Sequence, residues 1–322
     1  MKRIAVLTSG GDAPGMNAAI RAVVRTGLHF GLEVFGIYRG YDGLIKGTIK
    51  KLKRKDVSNI IQSGGTILFS ARSEEFKTIE GRKKAFKSLK KHEIDGLIVI
   101  GGDGTFTGAD IFQKEHNIPI VGLPGTIDND LYGTDFTIGY DTAINTAMEA
   151  IDNIKDTANA HDRLFFIEVM GRDAGFIALR SGIATGAEAV LIPENKTNVD
   201  ELIDKLEASF RNKKTSSIVI VAEGDDAGGA FAIAEKVKAK FDHYDIRVTI
   251  LGHVQRGGRP TAMERVRASK LGYEAVKALL AGHQNEMIGL INNKIAYTSF
   301  AKSIKHHQRI DPTLVELVEI LG

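Results

Sequence analysis

Short apolar runs that end abruptly in glycine-rich polar loops constrain this chain more than any other feature. Residues 4–7 lead into Thr8-Ser9-Gly10-Gly11-Asp12-Ala13-Pro14-Gly15, and residues 97–100 into Gly101-Gly102-Asp103-Gly104-Thr105. Residues 118–123 lead into Pro124-Gly125-Thr126-Ile127-Asp128-Asn129-Asp130. Runs this short, apolar throughout and bounded by turn formers, read as buried strands. After the first loop, residues 16–31 keep helical spacing, with Ile20, Val23, Val24 and Leu28 on one face. A helix to about Lys114 follows the second. Strand, loop and helix alternate, which predicts an α/β fold with mainly parallel sheets covered on both faces.

The rest of the chain keeps that rhythm. Residues 33–38 read as a strand, and the basic run 46–55 as a solvated face. Phe76, Ile79, Lys83, Phe86 and Leu89 have helical spacing, with the lysine stem as the weak member. Asp141 can cap a helix whose core face holds Ile144, Met148, Ile151 and Ile154. Strands are expected at 164–169, 189–192, 218–222 and 247–251, and helices at 199–210, 230–241 and 261–280. A second αβ half starts near residue 140, with no low-complexity linker before it and no internal repeat. Two packed αβα lobes with a cleft between them are expected.

Composition narrows the function. The 322 residues include no cysteine, which excludes disulfides, thiolate catalysis and zinc–thiolate sites. A net charge of +3 is small for this length and argues against a dedicated nucleic-acid binder. No stretch approaches the roughly 20 apolar residues of a membrane span, and the apolar run after Lys2 and Arg3 is too short for a secretory signal. A cytoplasmic location is the default expectation.

In open parallel sheets, ligands bind beyond the carboxyl ends of the strands, where strand order reverses. Glycine at 11, 102 and 104 lets a backbone approach a ligand closely. The amides opening the next helix face an anion there, aided by the helix dipole. Asp103 among these glycines suits Mg²⁺. Any one such loop could be a tight βα turn or an Asx turn. Three such loops together, with aspartates among their residues, favour a phosphate-bearing ligand. Neither a G-x-x-x-x-G-K-[ST] string nor the H-R-D and D-F-G pair is present, and Gly102-x-Gly104-x-x-x-Gly108 misses the dinucleotide fingerprint by one position.

These three loops, together with Met16-Asn17, Met170-Gly171-Arg172 and Gly252-His253-Val254-Gln255-Arg256-Gly257-Gly258, resemble the motifs of the bacterial ATP-dependent 6-phosphofructokinases. The likeness runs from residue 3 to about 300 in the family's order. Gly-Gly-Asp-Gly-Thr alone is shared with NAD kinases and diacylglycerol kinases; the full set is specific. The resemblance implies an ATP-binding lobe of residues 1–139 plus about 252–304, and a fructose 6-phosphate-binding lobe of 140–251 plus about 305–322. It implies Asp128 as the general base toward the sugar 1-hydroxyl, with Thr126 and Asp130 beside it. Arg172 would stabilise the transferring phosphoryl group, held in part by Asp130, and Asp103 would hold Mg²⁺. Gly11, Arg72, Ser73, Gly102, Asp103, Gly104 and Thr105 would line the ATP site. Thr126, Ile127, Asp128, Arg163, Met170, Gly171, Arg172, Glu223, His253, Val254, Gln255, Arg256 and Arg247 would surround the sugar phosphate. Arg163 and Arg247 would come from a neighbouring subunit of a homotetramer. Relatives that use pyrophosphate typically carry aspartate at the position of Gly104 and lysine at that of Gly125; both glycines here imply ATP.

A second basic set matches the family's effector site for ADP and phosphoenolpyruvate: Arg21, Arg25, Arg54, Lys155, Gly186, Glu188, Lys214 and Ser216. Arg21 and Arg25 are four apart and share a helix face. Lys155 stands where arginine is usual, which replaces a bidentate fork with a point charge. Glu264 stands where aspartate is usual. Two other readings compete: a different kinase sharing Gly-Gly-Asp-Gly-Thr, such as an NAD kinase-like enzyme, and a non-catalytic module that binds sugar phosphates.

Overall fold

The structure, a computed structural model, describes residues 1–160, 163–212, 217–240 and 245–322. In chain order its elements are β1 (Arg3–Thr8), α1 (Met16–His29), β2 (Glu33–Ile37), α2 (Gly40–Lys46), β3 (Ile49–Leu52), α3 (Ile79–Lys91), β4 (Gly96–Gly101), α4 (Asp103–His116), β5 (Ile120–Thr126), β6 (Ile138–Gly139) and α5 (Tyr140–Asn159). Then come β7 (Arg163–Val169), α6 (Phe176–Thr185), β8 (Ala189–Leu191), α7 (Val199–Arg211), β9 (Ser217–Ala222), α8 (Gly229–Lys238) and β10 (Asp245–Ile250). The chain closes with α9 (Ala262–Leu280), β11 (Glu286–Ile291), β12 (Lys294–Ser299), α10 (Phe300–Lys305) and α11 (Pro312–Leu321).

Two compact units divide the chain. The first comprises Met1–Ile127, Leu131–Thr142 and Arg256–Gln308; the second comprises Asp128–Asp130, Ala143–Gln255 and Arg309–Gly322.

In the first unit the strand order is β12-β11-β5-β4-β1-β2-β3, with β6 paired to β5. β1 pairs in parallel with β2 on one side and β4 on the other, so the chain reverses its direction of growth between β1 and β4. Alternation puts Ala5, Leu7, Leu97 and Val99 into one core layer with Phe106, Phe112 and Phe300. On the opposite face, Gly27 of α1 leaves room for Val34 and Ile4 to touch the helix backbone. Both faces are thus covered, as a parallel sheet requires. In the second unit β10, β7, β9 and β8 form an all-parallel sheet. Leu164, Phe166, Val219 and Val221 pack there against Leu202 and Leu206 of α7 and Ile233 of α8.

Several expected faces differ. In α3 the buried residues are Gly81, Arg82, Ala85 and Leu89, while Ile79 is 59% exposed. The buried arginine is why. Its guanidinium pairs with both carboxylate oxygens of Glu115 at 2.7 Å and donates to the carbonyls of Phe76 and Lys77. With its donors satisfied, Arg82 enters a layer that hydropathy reserves for apolar residues. In α5 the buried stripe is Ala143, Ala147 and Ile151; Ile144, Met148 and Ile154 are only half-buried. The basic run contains β3, whose Ile49 and Leu52 turn inward while Lys50 and Lys51 stay exposed. The hairpin of β11 and β12 is a further addition: Ile291 pairs with Lys294 across Asn292 and Asn293, both at positive φ. β10 begins at Asp245, two residues before the expected strand; Phe241, the expected end of α8, lies outside the described residues.

Glu264 shows what a buried acid does to this fold. It lies in the first turn of α9, 2% exposed, and accepts hydrogen bonds at 3.3 Å from the amide and the hydroxyl of Thr142. Burial pushes its carboxyl up to about 7; the amides of Gly139 and Thr142 oppose that, and the charge of Asp141 adds to it. The folded state therefore holds this proton more tightly than the unfolded chain does. Stability is fully present below the unfolded value of 4.5 and is lost as pH rises through about 7. The loss is on the order of 3 kcal/mol above that range. Glu264→Gln keeps an acceptor for Thr142 and cannot ionise. Its thermal midpoint should exceed that of the wild type by several degrees at pH 8 and converge with it at pH 5, as scanning calorimetry would read.

Candidate active site

The reversal between β1 and β4 brings the first two glycine loops into contact. The Ser9 amide donates to the Ile100 carbonyl at 3.0 Å, and Thr105 Oγ1 donates to the Ser9 carbonyl at 3.2 Å. A side chain at Gly101 would collide with both Ser9 and Thr105. The third loop joins them: a Cβ on Gly102 would stand 3.7 Å from Cβ of Thr126, at the end of β5. Gly10, Gly11, Gly102, Asp103, Gly104, Thr105 and Thr126 therefore gather at one edge of the first sheet.

At that edge α4 starts bare. Gly102, its N-cap, offers no side chain to the first amides, and a Cβ on Gly104 would meet no atom within 4 Å. A helix start without a side-chain cap, the helix dipole and open space together suit an anion. Asp103 is the acid of the first turn. Thr105 is held from behind by Tyr41, whose hydroxyl donates to its carbonyl at 2.6 Å. Burial pushes the Tyr41 hydroxyl far above its usual pKa, so it stays a donor. Tyr41 is itself stacked on Phe76 at 3.9 Å.

The remaining residues of this unit are placed individually. Ser73 Oγ accepts the Phe76 amide at 3.3 Å, and Arg72 is exposed. Ile127 is buried, and the Thr126 carbonyl accepts from Thr137 Oγ1 at 2.6 Å. Arg256, expected at the sugar phosphate, lies in the first unit against the first glycine loop. It donates to the Asp12 carbonyl at 3.4 Å, and a Cβ on Gly11 would come within 2.6 Å of its Nη1.

In the second unit Asp128 and Asn129 are buried, with Asn129 at φ 55. Met170, Gly171 and Arg172 follow β7, with Gly171 at φ 144 and Arg172 at φ 56. A left-handed arginine is unfavourable by roughly 1–2 kcal/mol. Glu223, at the end of β9, offsets this: its Oε1 accepts the Arg172 amide at 2.6 Å. Gly224 leaves no gap, since any side chain there would collide with the Arg172 carbonyl. The Arg172 guanidinium lies 3.5 Å from Asp173 and is largely exposed. Gln255 spends its carboxamide on backbone, accepting the Met170 amide at 3.2 Å and donating to the Gly252 carbonyl at 3.0 Å. His253 and Val254, on the same turn, are exposed.

Arg163 and Arg247 stand elsewhere. Both pair with Asp245, at 3.1 and 2.7 Å, at the amino-terminal ends of β7 and β10. Met170 follows the other end of β7, roughly 20 Å away at strand rise. Within one chain, these arginines and the Arg172 loop are not brought together.

The effector set divides by unit. In the first, burial and then the charges of Arg21 and Arg54 hold the Arg25 guanidinium below its ordinary pKa. Its buried Nε has no hydrogen-bond partner. Three converging like charges favour an anion among them. In the second, Lys155 Nζ donates to the Thr185 carbonyl at 2.6 Å beside Gly186, and buried Glu188 accepts from Ser209. Lys214 and Ser216 lie outside the described residues.

Three further residues, Thr8, Asn17 and Ser70, hold the segment before Arg72. Thr8 and Asn17 had a signal in the sequence, as members of the first motif; Ser70 had none.

Glycine loops and a bare helix start at a strand-order reversal define an α/β protein that binds phosphate groups. The chain belongs to the phosphofructokinase family, whose model matches residues 3–279. It is 57% identical to the ATP-dependent 6-phosphofructokinase 2 of Bacteroides thetaiotaomicron over 322 residues, covering all of this chain and 99% of that one. It is also 57% identical to the ATP-dependent 6-phosphofructokinase of Cytophaga hutchinsonii, covering all of this chain and 98% of that protein. The solved phosphofructokinase of Saccharomyces cerevisiae superimposes with a TM-score of 0.90 at 42% identity, over 95% of this chain and 45% of the yeast one. The chain thus spans under half of that yeast polypeptide.

The clamp on Arg172 is testable by hydrogen exchange. Glu223→Ala should speed exchange of the Arg172 amide several-fold, whereas Glu223→Gln, which keeps an acceptor, should leave it near the wild-type rate.

Proposed function

We propose that this chain transfers the terminal phosphoryl group of ATP to the 1-hydroxyl of fructose 6-phosphate, giving fructose 1,6-bisphosphate and ADP. The observation that carries this reading is the bare start of α4, where Gly102 caps without a side chain and Gly104 borders open space. A nucleotide's phosphate chain fits that opening. Gly125 has the opposite setting. A Cβ there would meet Met16, Ile100 and the Gly101 amide at 2.9–3.1 Å, so the lysine of pyrophosphate-using relatives would not fit without displacement.

Phosphoryl transfer needs positioning and charge neutralisation more than covalent help. In this reading Gly11, Arg72, Ser73 and Gly102 to Thr105 hold the nucleotide. Asp128 takes the hydroxyl proton, with Thr126 and Asp130 beside it. Arg172, its backbone fixed by Glu223, faces the charge that develops on the transferring group. Asp103 is the carboxylate of the nucleotide loop, and no cluster of three metal-ligating side chains exists among the described residues. One carboxylate fits Mg²⁺ arriving on a nucleotide's phosphates better than a protein-built cage. Bound there, the ion would offset phosphate charge.

The first unit then serves as the ATP-binding lobe and the second as the fructose 6-phosphate-binding lobe. Met170, Gly171, Glu223, His253, Val254, Gln255 and Arg256 contribute to the sugar-phosphate pocket. Glu223 has one oxygen on the Arg172 amide and a second for a sugar hydroxyl. The distance of Arg163 and Arg247 from Arg172 along β7 supports their service to a neighbouring chain of a homotetramer. The unpartnered Arg25 Nε between Arg21 and Arg54 supports an anionic effector there, ADP or phosphoenolpyruvate. No helix among the described residues is long and apolar enough to cross a membrane, and a glycolytic kinase is expected in the cytoplasm.

Steady-state assays with ATP and with pyrophosphate test the reading. Asp128→Asn should lower kcat by roughly 10²–10⁴ and change KM for fructose 6-phosphate little. Turnover with pyrophosphate and none with ATP would sink the donor assignment. Gly104→Asp adds an acid to the first turn of α4, where the helix dipole favours it and no atom obstructs it. That variant should keep its thermal midpoint and lose at least about tenfold in kcat/KM for ATP through charge repulsion.

A further inference from the structure

Between β3 and α3 the first unit carries a long irregular segment with only 3-10 turns, at Arg54–Val57 and Glu75–Lys77. Residues 58–73 within it have no regular structure, and the segment ends at Arg72 and Ser73. Such a segment takes its shape from side chains that hold its backbone.

Asn17 supplies most of that hold at one point. It sits in the first turn of α1, 1% exposed. Its Nδ2 donates to the carbonyls of Ser63 at 3.1 Å and Gly64 at 3.0 Å, and its Oδ1 accepts the Ile67 amide at 2.8 Å. One carboxamide thus satisfies three backbone groups over five residues. On the other side the segment is pressed against the turn after Arg256, because any side chain at Gly64 would collide with the Gly258 carbonyl. Downstream, Thr8 Oγ1 donates to the Phe69 carbonyl at 2.8 Å, and Ser70 Oγ donates to the Gly10 carbonyl at 2.5 Å. The segment is therefore registered on the same β1 loop that carries Gly10 and Gly11.

We propose that Asn17 is a positioning residue for the nucleotide site: its carboxamide fixes residues 63–67 against α1 and thereby sets where Arg72 and Ser73 stand. The inference rests on the reading of those two residues as nucleotide ligands. An aliphatic side chain at 17 would leave two carbonyls and an amide, all half-buried, without this partner, and the segment would move toward solvent to satisfy them.

Kinetics of Asn17→Ala and Asn17→Asp in the full chain, beside Arg72→Ala, test this, together with limited proteolysis and hydrogen exchange of residues 60–73. Asn17→Asp keeps volume and acceptor but turns a charge toward two carbonyls, so it remains informative if the alanine variant fails to fold. Both variants should raise KM for ATP on the order of five- to tenfold. KM for fructose 6-phosphate should stay within about twofold, and residues 60–73 should become more accessible to protease and to exchange. A folded variant with unchanged KM for ATP and an unchanged segment, while Arg72→Ala raises that KM, overturns the inference. So does an equal rise in both KM values with a lowered thermal midpoint, which marks a stability residue only. If Arg72→Ala itself leaves KM for ATP unchanged, the nucleotide role of Arg72 fails, and protection of residues 60–73 alone decides whether Asn17 positions them.

Discussion

Two parallel strands, β1 and β4, lie side by side with no room for a side chain where they end. The Ser9 amide reaches the Ile100 carbonyl, Thr105 Oγ1 reaches the Ser9 carbonyl, and Gly101 fits between them only because it lacks a Cβ. Much of the first unit follows from this closeness. It places the first amides of α4 beside the β1 loop, and it gives Thr105 a backbone partner so that it can be buried. Its central strands are covered on both faces, so polar groups there gather at the strand ends.

The second unit solves a different problem. Arg172 must project from a backbone turned into the left-handed region, where an arginine is not at home. The carboxylate of Glu223 and the tight fit of Gly224 supply what the local chain cannot. Position 223 thus holds the backbone of the residue proposed to face the phosphoryl group. Glu264 in the first unit is the contrasting case: a carboxyl whose partners are backbone amides and a hydroxyl, kept protonated up to near neutrality because burial outweighs them.

Much of this was legible in the chain because it is local. Apolar runs of four to six residues followed by glycine and aspartate mark strand ends wherever they occur, and the motif set identified the family before any packing was known. The misread elements share one cause: burial depends on what lies opposite. The α3 face turned on Arg82, which is buried because Glu115 of α4 meets it. The α5 stripe of alanines lost to larger residues in a reading by hydropathy. The Asn292-Asn293 turn is a local hairpin feature, two residues at positive φ between the paired strands β11 and β12.

The sequence by itself determined the family and the reaction class, since these rest on motif residues set by type and spacing along the chain. Tertiary packing decided which groups support them. Asn17 holding a segment fifty residues away, Arg256 standing at Gly11, and Arg163 a strand's length from Arg172 all arise from contacts between distant parts of the chain or from the direction of a strand. A hydrogen bond between residues far apart in sequence leaves no periodicity to read, because nothing in either stretch depends on the other until the sheet has formed.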